Sequence, residues 1–116
     1  MPEEREFVLF LQDIVDCAEK IIRYIGNKTL DEFVSDDMVV DAVVRNFEII
    51  GEASKNIPDK IKTKYPQVAW RKTTNFRNTL IHDYFGIDYE ILWEIVEQKL
   101  PQLISQIKTI ITLEQK

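Results

Sequence analysis

The stretch REFVLFLQDIVDCAEKIIRYI, residues 5–25, decides the fold. Phe7, Leu11, Ile14, Ala18, Ile21 and Ile25 recur at alternating steps of four and three, which places them on one face of an α-helix packed in a bundle. Gly26 and Asn27 end that helix. Ser35 then supplies a cap for a second helix, with Asp36 and Asp37 in the first turn, where the helix dipole favours negative charge. This helix should run to about Asn56 and stop before Pro58. Its apolar arc is wide (Val39, Val40, Val43, Val44, Phe47, Ile50, Ala53), so it should lie centrally with neighbours on two sides.

Further out, a short segment Asp59–Tyr65 is closed by Pro66, and residues 67–83 read as a third long helix burying Val68, Trp70, Phe76, Leu80 and Ile81. Gly86 breaks that pattern. Asp88 caps a last helix carrying Leu92, Ile95, Val96, Leu103, Ile107 and Ile110, with a kink or restart at Pro101. No alternation of period two competes. The expectation is an all-α chain, a single domain over residues 1–116, built as an antiparallel four-helix-type bundle with an additional short helix.

Composition narrows the function. A chain of 116 residues, 45% hydrophobic and 30% charged, can bury one core, and 3 glycines leave little for a phosphate-cradling glycine loop. The single cysteine, Cys17, allows no disulfide within the chain and should pack as a small apolar residue. With one histidine, His82, a zinc site would need carboxylates or a second subunit, so no metal and no cofactor is expected. The first ten residues carry Glu3, Glu4 and Glu6 rather than a basic leader, and charges interrupt every apolar run, so the expected location is the cytoplasm, away from membranes.

The net charge of −5 argues against a generic polyanion binder, but the charge is unevenly distributed. Up to Pro58 there are 6 basic and 13 acidic residues, and beyond it 9 and 7. Lys55, Lys60, Lys62, Lys64, Arg71, Lys72 and Arg77 share a stretch whose only acid is Asp59. Such a stretch is either a solvated connection or a local surface for a phosphate backbone. It leads into Arg77-Asn78-Thr79-Leu80-Ile81-His82-Asp83-Tyr84. Histidine exchanges protons near neutral pH, and arginine is the permanent cation best shaped for phosphate oxygens. Together they can cleave RNA without metal: His82 moves the proton of the ribose 2′-OH or of the leaving 5′ oxygen, while Arg77 stabilises charge on phosphorus. On one straight helix these two residues lie about 140° apart, so the site needs either a second copy across a two-fold axis or an unwinding after Ile81. Taken singly, His82 can be a satisfied helix-end histidine, Arg77 a surface partner of Asp83 or Glu48, and Tyr84 an aromatic staple.

The run Arg45–Pro58 (RNFEIIGEASKNIP), Tyr65-Pro66 with Trp70, and Arg77–Gly86 (RNTLIHDYFG), followed by Trp93 and Leu100-Pro101, resembles the HepT-type toxins of the HEPN superfamily, which pair with MntA antitoxins. The resemblance spans essentially the whole chain. It implies a HEPN-like helical fold and a metal-independent ribonuclease, acting on RNA and in some members on tRNA, as a homodimer with its active site at the interface. Carried onto this chain, Arg77 and His82 form the catalytic pair, with Asn78 and Asp83 in support. Lys60, Lys62, Lys64, Arg71 and Lys72 would hold RNA. The resemblance also implies a cognate MntA-like nucleotidyltransferase antitoxin that transfers AMP from ATP to the tyrosine two residues beyond the histidine, here Tyr84. Phosphate-borne charge at Tyr84 would compete for Arg77 and block RNA. Where the family more often has Gly-Met before the arginine, this chain has Asn75-Phe76.

Arg45, Glu48 and Glu52 lie on one helical face, where they either orient Arg77 and meet a second subunit or form an exposed ion-pair ladder. Two other functions remain open: a non-catalytic module that holds nucleic acid or substrate for a nucleotidyltransferase, and a structural bundle without a ligand.

Overall fold

The computed structural model describes residues 2–82 and 86–115, with side chains from Glu6 onward and that of His82 excepted. Helix α1 (Pro2–Ile25) buries all six residues of the expected stripe, and Gly26 ends it at φ 52°, a backbone conformation glycine adopts without strain. A short helix α2 (Leu30–Val34) comes next. Its signal was present in Thr29-Leu30-Asp31-Glu32, a capping box: the Thr29 hydroxyl accepts from the Glu32 amide at 3.2 Å, and the Glu32 carboxylate accepts from the Thr29 amide at 2.9 Å. The Thr29 amide, and after it the Thr29 hydroxyl, hold the Glu32 carboxyl below the usual carboxylate range. Phe33 on α2 is fully buried between Tyr89 and Trp93.

Helix α3 (Asp37–Lys55) is the central rod, packed on α1, α2 and the segments after residue 69. Its N-cap is Asp36, which accepts from the Val39 amide at 3.2 Å, rather than Ser35. The Ser35 hydroxyl is occupied elsewhere, donating to the Asp31 carbonyl at 2.6 Å to close α2. After Pro58 comes α4 (Asp59–Lys64).

The third long helix expected over residues 67–83 does not form. Instead α5 (Trp70–Thr74) and α6 (Phe76–Leu80) meet at Asn75 (φ −96°, ψ 12°), and the chain turns extended at Ile81 (φ −114°, ψ 121°). Two contacts explain the break at Asn75. A Cβ on Gly51 would stand 2.8 Å from the Thr74 carbonyl oxygen, so α3 and the end of α5 touch backbone to backbone. Beside that contact, the Thr74 hydroxyl donates to the Ser54 hydroxyl at 3.0 Å, which in turn donates to the Trp70 carbonyl at 3.4 Å. After α6, Leu80 directs its carbonyl at the Asp88 amide, 2.7 Å away, instead of continuing a helical ladder. Ile81–His82 (β1) and Gly86–Ile87 (β2) pair antiparallel, Ile81 opposite Ile87 and His82 opposite Gly86. Gly86 sits at φ 77°.

Asp88 caps α7 (Tyr89–Glu94) through the Ile91 amide, as expected. A π-helical turn, Ile95–Lys99, separates α7 from α8 (Leu100–Glu114). Pro101 opens α8 and has no N–H to return to the Glu97 carbonyl, so the ladder widens there and the helix restarts. The chain is mostly helical, and its buried side chains form one contiguous cluster with Phe33, Phe47, Leu92, Leu100 and Ile107 at its centre. Among the described residues, no helix is long and apolar enough to cross a membrane.

Candidate active site

Arg77 occupies the first turn of α6, one residue after the buried Phe76, whose ring meets Phe47 of α3 edge-on at 5.6 Å. That contact and the Gly51–Thr74 approach fix α6 against α3. As a result the Arg77 Nε lies 3.5 Å from Glu48 Oε2, with the arginine side chain 53% and the glutamate 36% exposed. An ion pair this open adds little stability, about 0–1 kcal/mol, and leaves about half of the arginine side chain exposed to another anion. Asn78, next on α6, is exposed.

His82 lies on β1, beyond the end of α6. The unwinding considered after Ile81 begins at Ile81 itself, so the angular objection to Arg77 and His82 on one straight helix no longer applies. Chain direction reverses between His82 and its partner Gly86. Asp83 and Tyr84 lie outside the described residues, as does the His82 side chain.

Of the three polar residues weighed on α3, Glu48 meets Arg77. Arg45 and Glu52 line a groove with Glu48 between α1 and α3, closed on the α1 side by Phe10 and Asp13.

The basic stretch divides in space. Lys60, Lys62 and Lys64 belong to α4, where Lys64 Nζ is 2.8 Å from Glu114 Oε2 at the end of α8 and the Tyr65 hydroxyl donates to the same carboxylate. Lys64 and then the Tyr65 hydroxyl hold the Glu114 carboxyl below its ordinary range. Its hydrogen bonds in turn raise Lys64 and Tyr65. Lys60 also acts on that carboxylate. This cluster therefore ties α4 to α8, and its cations are partly neutralised. Arg71 and Lys72 belong to α5 and are exposed, adjoining the Arg77 helix.

Lys72 also lines a second groove of about 330 Å³, between α5–α6 and the π turn with α8, where Lys99 stands on the opposite wall. Sequence reading missed Lys99, which is isolated in the chain between Gln98 and Leu100.

Residues 14–110 match the family described as "Ribonuclease HepT-like". A Methanocaldococcus jannaschii protein named "Putative RNase MJ0127" is 47% identical over 102 residues, covering 88% of this chain and 84% of that protein. Another from the same organism, "Putative RNase MJ0125", is 37% identical over 117 residues and covers 100% of both chains. "Probable ribonuclease HepT" of Thermococcus cleftensis is 40% identical over 94 residues, 81% of this chain and 86% of that one. No solved structure matches.

Proposed function

The chain belongs to the HepT-like ribonuclease family, and from that premise we propose that it is the toxin of a toxin-antitoxin pair, a metal-independent endoribonuclease. The observation that carries this reading is the family match across residues 14–110, which includes an exposed Arg77 set against Glu48 five residues before the only histidine. In the proposed reaction His82 takes the proton of a ribose 2′-OH. The 2′ oxygen attacks the adjacent phosphorus, and the P–O5′ bond breaks with a proton returned to the 5′ oxygen. The products are a 2′,3′-cyclic phosphate and a 5′-hydroxyl end. Arg77 stabilises charge on the phosphorane oxygens, with Asn78 and Asp83 supporting. Two copies form a homodimer whose interface completes the cleft, and the exposed Arg71 and Lys72, with the α4 lysines Lys60, Lys62 and Lys64, hold RNA, tRNA among the candidate substrates.

Control is by a cognate MntA-like nucleotidyltransferase. The Tyr84 hydroxyl attacks the α-phosphorus of ATP, pyrophosphate leaves, and the resulting AMP-tyrosine carries negative charge and bulk two residues along the chain from His82.

Purified protein should cut RNA in EDTA, and Arg77→Ala and His82→Ala should each lose about 10²-fold or more of the rate. Unchanged rates in both variants would sink the catalytic assignment. Co-expression with the transferase should add AMP-sized mass that disappears in Tyr84→Phe. Stable co-purification with a transferase, with no RNA turnover by the unmodified chain, would instead favour the non-catalytic module.

A further inference from the structure

We propose that the groove between α5–α6 and the π turn with α8 is a subsite for one unpaired RNA nucleotide, with its base on the apolar floor and its phosphate between Lys72 and Lys99. The identity of the polymer rests on the ribonuclease reading; the groove's chemistry does not.

Three observations carry the assignment. First, the walls are neutral or basic. In a chain with 20 acidic against 15 basic residues, none of the described side chains lining this groove is acidic. Lys72 and Lys99, on facing elements, have no ion pair among the described residues, whereas Lys64, Lys108 and Arg77 each have one. Two unneutralised cations across a cleft select an anion.

Second, the floor is apolar, built from Phe76 and Leu103, and a volume of about 330 Å³ falls at the small end of ligand sites, the scale of a single nucleotide rather than a duplex. The rim adds amides. Gln106 donates to the Gln67 carbonyl at 3.1 Å and so braces the wall, while Gln102 is exposed with a donor and an acceptor to offer a base edge.

Third, the groove adjoins the candidate catalytic helix. Phe76 and Thr79 line it from α6, and Arg77 projects from the same helix about 100° round the axis from Phe76. A strand whose scissile phosphate lies at Arg77 would therefore have a flanking nucleotide within reach of the groove.

The test is fluorescence anisotropy with a labelled single-stranded oligoribonucleotide, 2′-O-methylated so that it cannot be cleaved through its 2′ oxygens, titrated at several salt concentrations. Lys72→Gln/Lys99→Gln should raise Kd about tenfold and lower the log–log salt slope by about 1.4, the value for two phosphate contacts on a single strand. Gln102→Trp, which fills the groove without changing charge, should also raise Kd about tenfold with the slope unaltered. Binding lost only in the double-lysine variant would overturn the base pocket, and wild-type binding in both variants would overturn the subsite. Unaltered RNA binding with loss of self-association in sedimentation would mean that the groove seats a second copy, also overturning it. Wild type that binds the oligonucleotide at this groove yet cuts no RNA ends the ribonuclease reading and leaves the subsite standing. Wild type that cuts RNA while both variants bind normally does the reverse.

Discussion

Arg77 Nε lies 3.5 Å from Glu48 Oε2, and Glu48 stands one turn of α3 before Gly51, the residue at which α3 touches the Thr74 backbone. The pair forms because the two helices approach this closely. Only a residue without a Cβ permits that approach.

Glu48 pairs with Arg77 at a partly exposed site. Glu48→Gln should leave stability within about 1 kcal/mol of wild type, since both side chains are partly exposed. The same variant should slow RNA cleavage several-fold through a lower kcat. Denaturant titration and steady-state kinetics check the two halves, and an unchanged kcat would remove Glu48 from any positioning role.

Gly51 and Gly86 are both required, for different reasons. Gly51→Ala must push Thr74 and α6 away from α3, a packing conflict costing roughly 1–3 kcal/mol. It should also displace Arg77 and depress cleavage. At Gly86 a Cβ meets nothing within 4 Å, but φ 77° is strained for alanine, at about 1–2 kcal/mol. Urea unfolding midpoints should fall in both variants. Double replacement should be close to additive if the two sites are independent.

The Lys64–Glu114–Tyr65 cluster makes stability depend on pH at both extremes. Glu114 has a native pKa below its ordinary 4.5, so its contribution is present above that value and is lost as pH falls through the lowered one. Lys64 and Tyr65 are raised above 10.5 and 10.0, so theirs is present below those values and is lost as pH rises through the raised ones. The stability gap between wild type and Glu114→Gln should therefore be widest between about pH 5 and pH 10 and narrow on either side. A gap independent of pH would show that the cluster contributes through packing alone.

Phe33 is the latch between α2 and α7. Phe33→Ala empties a fully buried site against Tyr89 and Trp93 and should cost about 3–5 kcal/mol, read from thermal or denaturant unfolding.

The sequence by itself determined the helical class, the buried stripe of α1, the extent of α3, the cap at Asp88 and the discontinuity at Pro101. Each of these depends on a residue's immediate neighbours: periodicity buries one face, a carboxylate caps an amide, and proline lacks a donor. The cap of α2 was equally local and legible at Thr29 and Glu32. Arg77, Asn78 and His82 were legible as candidates because they are close in sequence.

Tertiary structure alone decided what residues 67–83 do. Local preference there favours a helix, yet Gly51 and Ser54, about twenty residues upstream, engage Thr74 and Trp70, and Asp88 and Gly86 downstream take the hydrogen bonds of Leu80 and pair with His82. The energy of those distant contacts outweighs the modest per-residue preference for helix. The same reason hid the neutralisation of Lys64 by Glu114 and the meeting of Lys72 with Lys99 across one groove, and it left Arg77 with two candidate partners, of which Glu48 lies at 3.5 Å. Charge along the chain says which cations exist, but only the packing of α5, α6 and α8 says which remain unpaired among the described residues.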